Sequence, residues 1–131
     1  MQLLMKIVLV AIGSACGGVL RWGIGNWAGQ LIDSTLPYGT FFINVTGSMF
    51  LGWFYTRLDN WAIPWQWLDP ANLRLLVAVG FCGGYTTFST FEWEGYSLFR
   101  DNLTLDGTIY LVASVVLGLI ALRVGVALGR F

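Results

Sequence analysis

The stretch Gly83-Gly84-Tyr85-Thr86-Thr87-Phe88-Ser89-Thr90-Phe91 decides how this chain folds. It lies within a mostly apolar segment, residues 72–99, that is long enough to cross a membrane. Adjacent glycines cost a helix backbone entropy, and adjacent β-branched threonines lose side-chain freedom in one. The residue types predict a helix broken at mid-membrane, near residues 83–87. Lipid offers no hydrogen-bonding partners, so such a break persists only where protein buries it or where it lines a cavity. Interrupted helices leave carbonyls and amides free to hold ions. The segment therefore points to an ion site.

The rest of the chain agrees with a membrane setting. It has 131 residues, 56% hydrophobic and 11% charged, against about 25% charged in a soluble domain. Its mean hydropathy is +0.70. Three more apolar segments, residues 3–31, 38–58 and 105–128, complete a set of four. They leave room only for short connections, which predicts one all-α domain of four transmembrane helices over residues 1–131. Seven basic residues balance seven acidic ones, with no basic run to bind nucleic acid. There is no histidine, and Cys16 and Cys82 sit in separate apolar segments, which argues against a disulfide scaffold or a structural zinc. Lys6, the apolar run after it and Cys16 resemble a lipoprotein leader. The apolar pattern continues to Leu31, so a span is expected there rather than cleavage.

Within the spans, polar and small residues recur at helical spacing. Gly13-xxx-Gly17, Gly25-xxx-Gly29 and Gly125-xxx-Gly129 permit close helix packing. Arg21 lies deep in the first span, where a charge is costly and suggests a structural or anion-attracting role. Thr40, Asn44 and Ser48 share a face of the second. Interhelical hydrogen bonding suits Thr40 and Ser48, whereas the larger Asn44 amide suits a cavity lining equally well. Tyr110, Ser114 and Gly118 share a face of the fourth, and Phe88 and Phe91 share one after the break. Asp33 marks a short loop. Trp61, Pro64, Trp65 and Trp67 occupy the longest connection, where the tryptophans read as interfacial anchors. Glu92 and Glu94 are expected near the aqueous end of their helix, solvated.

This interior is rich in hydroxyl and amide donors and carries no carboxylate at the centre of any span. A cation path or proton relay would place one there. The pattern points to an anion or a neutral solute. Phenylalanine fits an anion, because the ring edge is the positive end of the aromatic quadrupole. A path without a fixed positive charge also lets the ion leave, as conduction requires. The basic residues favour cytoplasmic termini, but several lie inside spans, and insertion in both orientations stays open.

The nine-residue stretch closely resembles the signature of the Fluc (CrcB) fluoride channels, and the similarity extends over the whole chain. Gly39-Thr40-x-x-x-Asn44, Arg21, and Tyr110 with Ser114 match as well. The resemblance implies a homodimer of antiparallel subunits in the bacterial inner membrane, passing fluoride by electrodiffusion through two pores and giving fluoride resistance. It implies pore roles for Asn44, Phe88 and Phe91, with Thr40, Ser89, Tyr110 and Ser114 along the path and Arg21 and Glu94 at the vestibule or pore end. It also implies a structural sodium ion at the dimer axis, held by the carbonyls of Gly83 and Thr86. The fourth-helix hydroxyl row often continues one turn further, where this chain has Gly118. A small dual-topology proton-coupled exporter is the alternative, and it needs an embedded carboxylate. A scaffold subunit would leave the broken helix unexplained. No nucleophile–base pair suggests an enzyme.

Overall fold

A computed structural model describes residues 2–31, 34–60 and 69–131, and these are almost entirely helical. Helix α1 spans Gln2–Leu31 and α2 spans Tyr38–Asn60. Helix α3 covers residues 70–85: a first turn Pro70–Leu73, a wider π-wound stretch Arg74–Cys82, and a last turn Gly83–Tyr85. After a two-residue interruption come α4, Phe88–Arg100, and α5, Thr104–Gly129. With α3 and α4 counted as one interrupted span, the four-helix arrangement expected from the sequence is present. Asp33, Trp61, Pro64, Trp65 and Trp67 lie outside the described residues.

Among the described residues, Gln2–Gln30 and Thr104–Gly129 are long and apolar enough to cross a membrane, with mean hydropathies of 2.2 and 2.4. Both present most of their surface outward. Helix α2 is more polar because it carries the Thr40, Asn44 and Ser48 face, and the interruption divides the third span into two shorter pieces.

Two helix pairs frame the structure, and glycine makes both of them close. Side chains added at Gly13 and Gly17 of α1 would run into backbone of α3, at the carbonyls of Leu76 and Phe81. From the other side, a Cβ on Gly80 would lie 2.9 Å from the Gly13 Cα, and one on Gly84 would lie 2.6 Å from the Ser14 carbonyl oxygen. Between α2 and α5, Gly52 meets the Leu122 carbonyl and Gly125 the Met49 carbonyl, while Gly129 packs on Trp53 and Thr56. Gly25 and Gly29 behave differently from expectation. A Cβ at either meets nothing within 4 Å, although Gly39 of α2 sits against this part of α1, a Cβ there lying 3.5 Å from the Gly25 Cα, and both glycines border a cavity.

Apolar clusters sit on either side of the interruption. Phe54, Leu58 and Ala78 form one, between α2 and α3. Phe91, Leu98 and Tyr110 form the other, between α4 and α5. Helix α4 ends in a Schellman turn. Asn102, at φ 62°, takes the left-handed conformation that asparagine tolerates. The Leu103 amide then donates to the Leu98 carbonyl at 2.9 Å and the Asn102 amide to Phe99 at 3.1 Å. At the other end of the span, Arg74 pairs with Asp59 at 2.7 Å, tying the start of α3 to the end of α2.

Candidate functional site

The interruption falls later than the glycines suggest. Gly83 and Gly84 are helical, and neither has a positive φ. Their smallness serves contact rather than unwinding, since Gly84 fits against α1. The backbone leaves the helix at Thr86 (φ −84°, ψ 162°) and Thr87 (φ −149°, ψ 121°). Both angles lie in the extended region that β-branched residues favour. Thr86 closes the last turn of α3 by sending both its amide and its hydroxyl to the Cys82 carbonyl, each at 2.9 Å. Thr87 opens α4, its hydroxyl oxygen accepting from the Thr90 amide at 3.3 Å. A threonine followed three residues later by a polar residue is a helix-start signal that sequence reasoning passed over at this point.

The interruption frees backbone groups, and Asn44 answers them. Its side-chain amide donates to the Thr87 carbonyl at 3.0 Å, and its carbonyl oxygen accepts from the Thr87 amide at 2.9 Å. One asparagine thus reproduces both halves of a peptide pairing across 43 positions of sequence. In a continuous helix the Thr87 amide would close onto the Gly83 carbonyl. It bonds Asn44 instead, which leaves the Gly83 carbonyl without that donor. Nη1 of Arg21 reaches the Thr86 carbonyl at 3.4 Å, a long contact that brings the only charge of mid-α1 to the same interruption.

A groove of about 370 Å³ opens beside this seam. Asn44, Gly83, Thr86, Phe88, Phe91 and Ser114 line it, six of the residues singled out from sequence, together with Ser48, Thr87 and apolar neighbours. Phe88 is 70% exposed whereas Phe91 is 8% exposed, so the two rings, 5.9 Å apart, form an outer and an inner edge. Phe91 is held from behind by Tyr110 at 5.4 Å. Ser114 is buried, and its hydroxyl has no hydrogen-bond partner among the described residues. With Gly83, Phe88 and Val115 exposed along it, the groove lacks an outer wall.

Thr40, Tyr110 and Glu94 form a second polar centre, off the groove. Glu94 is not the solvated residue expected. It is partly buried on α4, where its carboxylate accepts from the Thr40 hydroxyl at 2.8 Å and from the Tyr110 hydroxyl at 2.7 Å. It bridges three helices because α4, once turned at the interruption, aims this face into the space between α2 and α5. A cavity of about 340 Å³, bordered by Gly25, Gly29 and Thr40, leads to it. Ser89 is exposed on α4 and lines neither space. Glu92 is exposed, as expected.

An interrupted membrane helix, its backbone held by a side-chain amide beside a donor-lined groove, defines an all-α membrane protein of the ion-handling kind. The chain belongs to the family described as CrcB-like protein, Camphor Resistance (CrcB), which matches residues 8–126. It is 42% identical over 126 residues to a protein of Chloroflexus aurantiacus named fluoride-specific ion channel FluC, covering 96% of each chain. It is 37% identical over 123 residues to the protein of that name from Trichormus variabilis, covering 94% of this chain and 87% of the relative. With the one from Rhizobium etli, identity is 39% over 130 residues, at 97% and 98% coverage.

Proposed function

We propose that this chain forms a fluoride-selective channel that lets the ion leave the cell by passive electrodiffusion through the bacterial inner membrane, giving resistance to fluoride. The observation that carries this reading is the groove. It offers the ring edges of Phe88 and Phe91, the Asn44 amide and the unpaired Ser114 hydroxyl, with no carboxylate on its lining. A small anion losing its water finds donors there, and no basic side chain is on the lining to trap it. The names carried by the relatives point to the same ion.

The open side of the groove calls for a second copy. Lipid cannot hydrogen-bond the polar groups on this lining, the Gly83 backbone and the Ser114 hydroxyl among them, and a partner subunit would close the wall over them. An antiparallel homodimer, with two equivalent pores and all four spans of each subunit crossing the bilayer, is the assembly proposed. The carbonyls of Gly83 and Thr86 fit a structural sodium ion by chemistry. They are hard oxygen donors, and the Gly83 oxygen has lost its helical amide to Asn44. Two carbonyls from one chain are half a cage, so the ion would join two subunits. Its contribution there is to fix the interruption electrostatically.

One feature favours a second reading. Glu94 is a carboxylate inside the bundle, which the proton-coupled exporter requires. Both its oxygens are engaged, and it stands off the groove, so the channel is preferred. The two are separated by reconstituting purified protein in liposomes loaded with potassium fluoride or potassium chloride, adding valinomycin, and following each anion with an electrode. The channel gives fast fluoride loss, no chloride loss and no dependence on a proton gradient. Fluoride loss that requires such a gradient would move the assignment to the exporter, and no loss from folded protein would end it.

A further inference from the structure

The hydroxyl row of α5 stops at Ser114, and position 118 carries no side chain. A Cβ built on Gly118 would meet a single neighbour within 4 Å, the Ser48 Oγ of α2 at 3.7 Å. Ser48 lines the same groove as Ser114. Leu51 and Val115, which also line it, offer no hydrogen-bond donor. We infer that Ser48 supplies, from the second helix, the donor hydroxyl that α5 lacks at Gly118, and that a dehydrated anion in the groove passes from Ser114 to Ser48. This rests on the fluoride reading above.

The local chemistry allows it. Within the chain the Ser48 hydroxyl donates to the Asn44 carbonyl at 2.8 Å. That carbonyl is in the interior of α2, where the helical amide four residues on already serves it. Turning the hydroxyl about its Cβ–Oγ bond therefore releases the proton toward the groove without stranding a backbone group. Ser114 needs no such release, because among the described residues its hydroxyl has no partner to give up. The two donors then stand on facing helices, one ready and one switchable. The gap at Gly118 leaves an ion room to lie between them.

The test is a hydroxyl transfer, read as fluoride efflux from liposomes with valinomycin. Ser48→Ala is expected to slow efflux roughly tenfold, the weight of one hydrogen bond to a charged group. Adding Gly118→Ser to Ser48→Ala is expected to restore most of the rate, by placing a hydroxyl on the facing helix in the space vacated. Size-exclusion elution of each variant, matched to the unaltered protein, shows that it is folded. Slowed efflux without restoration would reduce Ser48 to a helix-internal bond and overturn the inference. Unchanged efflux in Ser48→Ala would overturn it too while leaving the fluoride reading standing. If the unaltered protein passes no fluoride, both fall together.

Discussion

On α3, Gly80 and Gly84 bring backbone against the backbone of α1, where even a methyl group would overlap. On α4, a few residues further along the same span, Glu94 gathers a hydroxyl from α2 and one from α5. The first half of the span is fixed by leaving side chains out, and the second by bonding a polar one in. Contacts of the first kind have no directional chemistry and tolerate no added volume. Those of the second kind tolerate changes of shape but not the loss of a partner. Asn44 stands at the seam between the two, and a span built this way can hold a fixed interruption in lipid.

Substitutions can break each side of that contrast separately. The largest effect is expected on the glycine side. Gly13→Leu drives a branched side chain into the α3 backbone near Leu76 and Gly80, and no monodisperse folded protein should be recovered on size exclusion. Recovery of native-like protein would mean that α1 and α3 separate freely.

Phe88→Ile tests the groove without touching either half. Its ring is mostly exposed within the chain, so the protein should fold normally while fluoride efflux is abolished or sharply reduced through loss of the ring edge. Normal efflux would remove Phe88 from the path.

Asn44→Asp attacks the seam. The carboxylate still accepts from the Thr87 amide but no longer donates to the Thr87 carbonyl. The Thr87 carbonyl keeps its helical amide, because Thr87 is the N-cap of α4, so losing the side-chain donor costs about 0.5–1.5 kcal/mol, and the new charge faces the path proposed for the anion. Lower thermal stability and slower efflux should appear together, and a variant unchanged in both would show the clasp to be dispensable.

The smallest effect sharpens the polar side. Glu94→Ala should strand the Thr40 and Tyr110 hydroxyls at about 1–3 kcal/mol. Glu94→Gln, which keeps an acceptor oxygen, should lose visibly less in a thermal melt. Equal losses would mean that the bridge acts through charge rather than hydrogen bonding.

The sequence announces most of this arrangement through residue type and spacing. Glycine pairs at four-residue spacing mark the α1–α3 and α2–α5 contacts, and adjacent threonines mark the interruption. The polar face of α2 reads correctly for Thr40 and Asn44, which bond α4 and the interruption, whereas Ser48, expected to bond across helices, donates to the Asn44 carbonyl within α2 because that acceptor lies one turn away on its own helix. What stays hidden depends on distant partners. Glu94 looks solvated because its bonding to Thr40 spans 54 positions. The interruption begins at Thr86 rather than at the glycines because α1 needs their smallness for contact, a demand that residues 83–91 do not display. Gly25-xxx-Gly29 carries the same spacing as Gly13-xxx-Gly17, yet a Cβ at either position would meet no neighbour within 4 Å, because spacing specifies a face and not the helix opposite it.

The Asn44 clasp has a consequence for how the chain is made. Residues 70–85 and 88–100 are each a poor candidate for independent entry into a bilayer, since both end beside the Thr87 amide, whose partner is supplied by Asn44. Helix α2 precedes them in the chain. Its asparagine is synthesised before the threonine it will serve, so the cap is in place when the open helix end emerges. A permuted chain that delivered α3 and α4 first would have to carry that uncapped end through lipid.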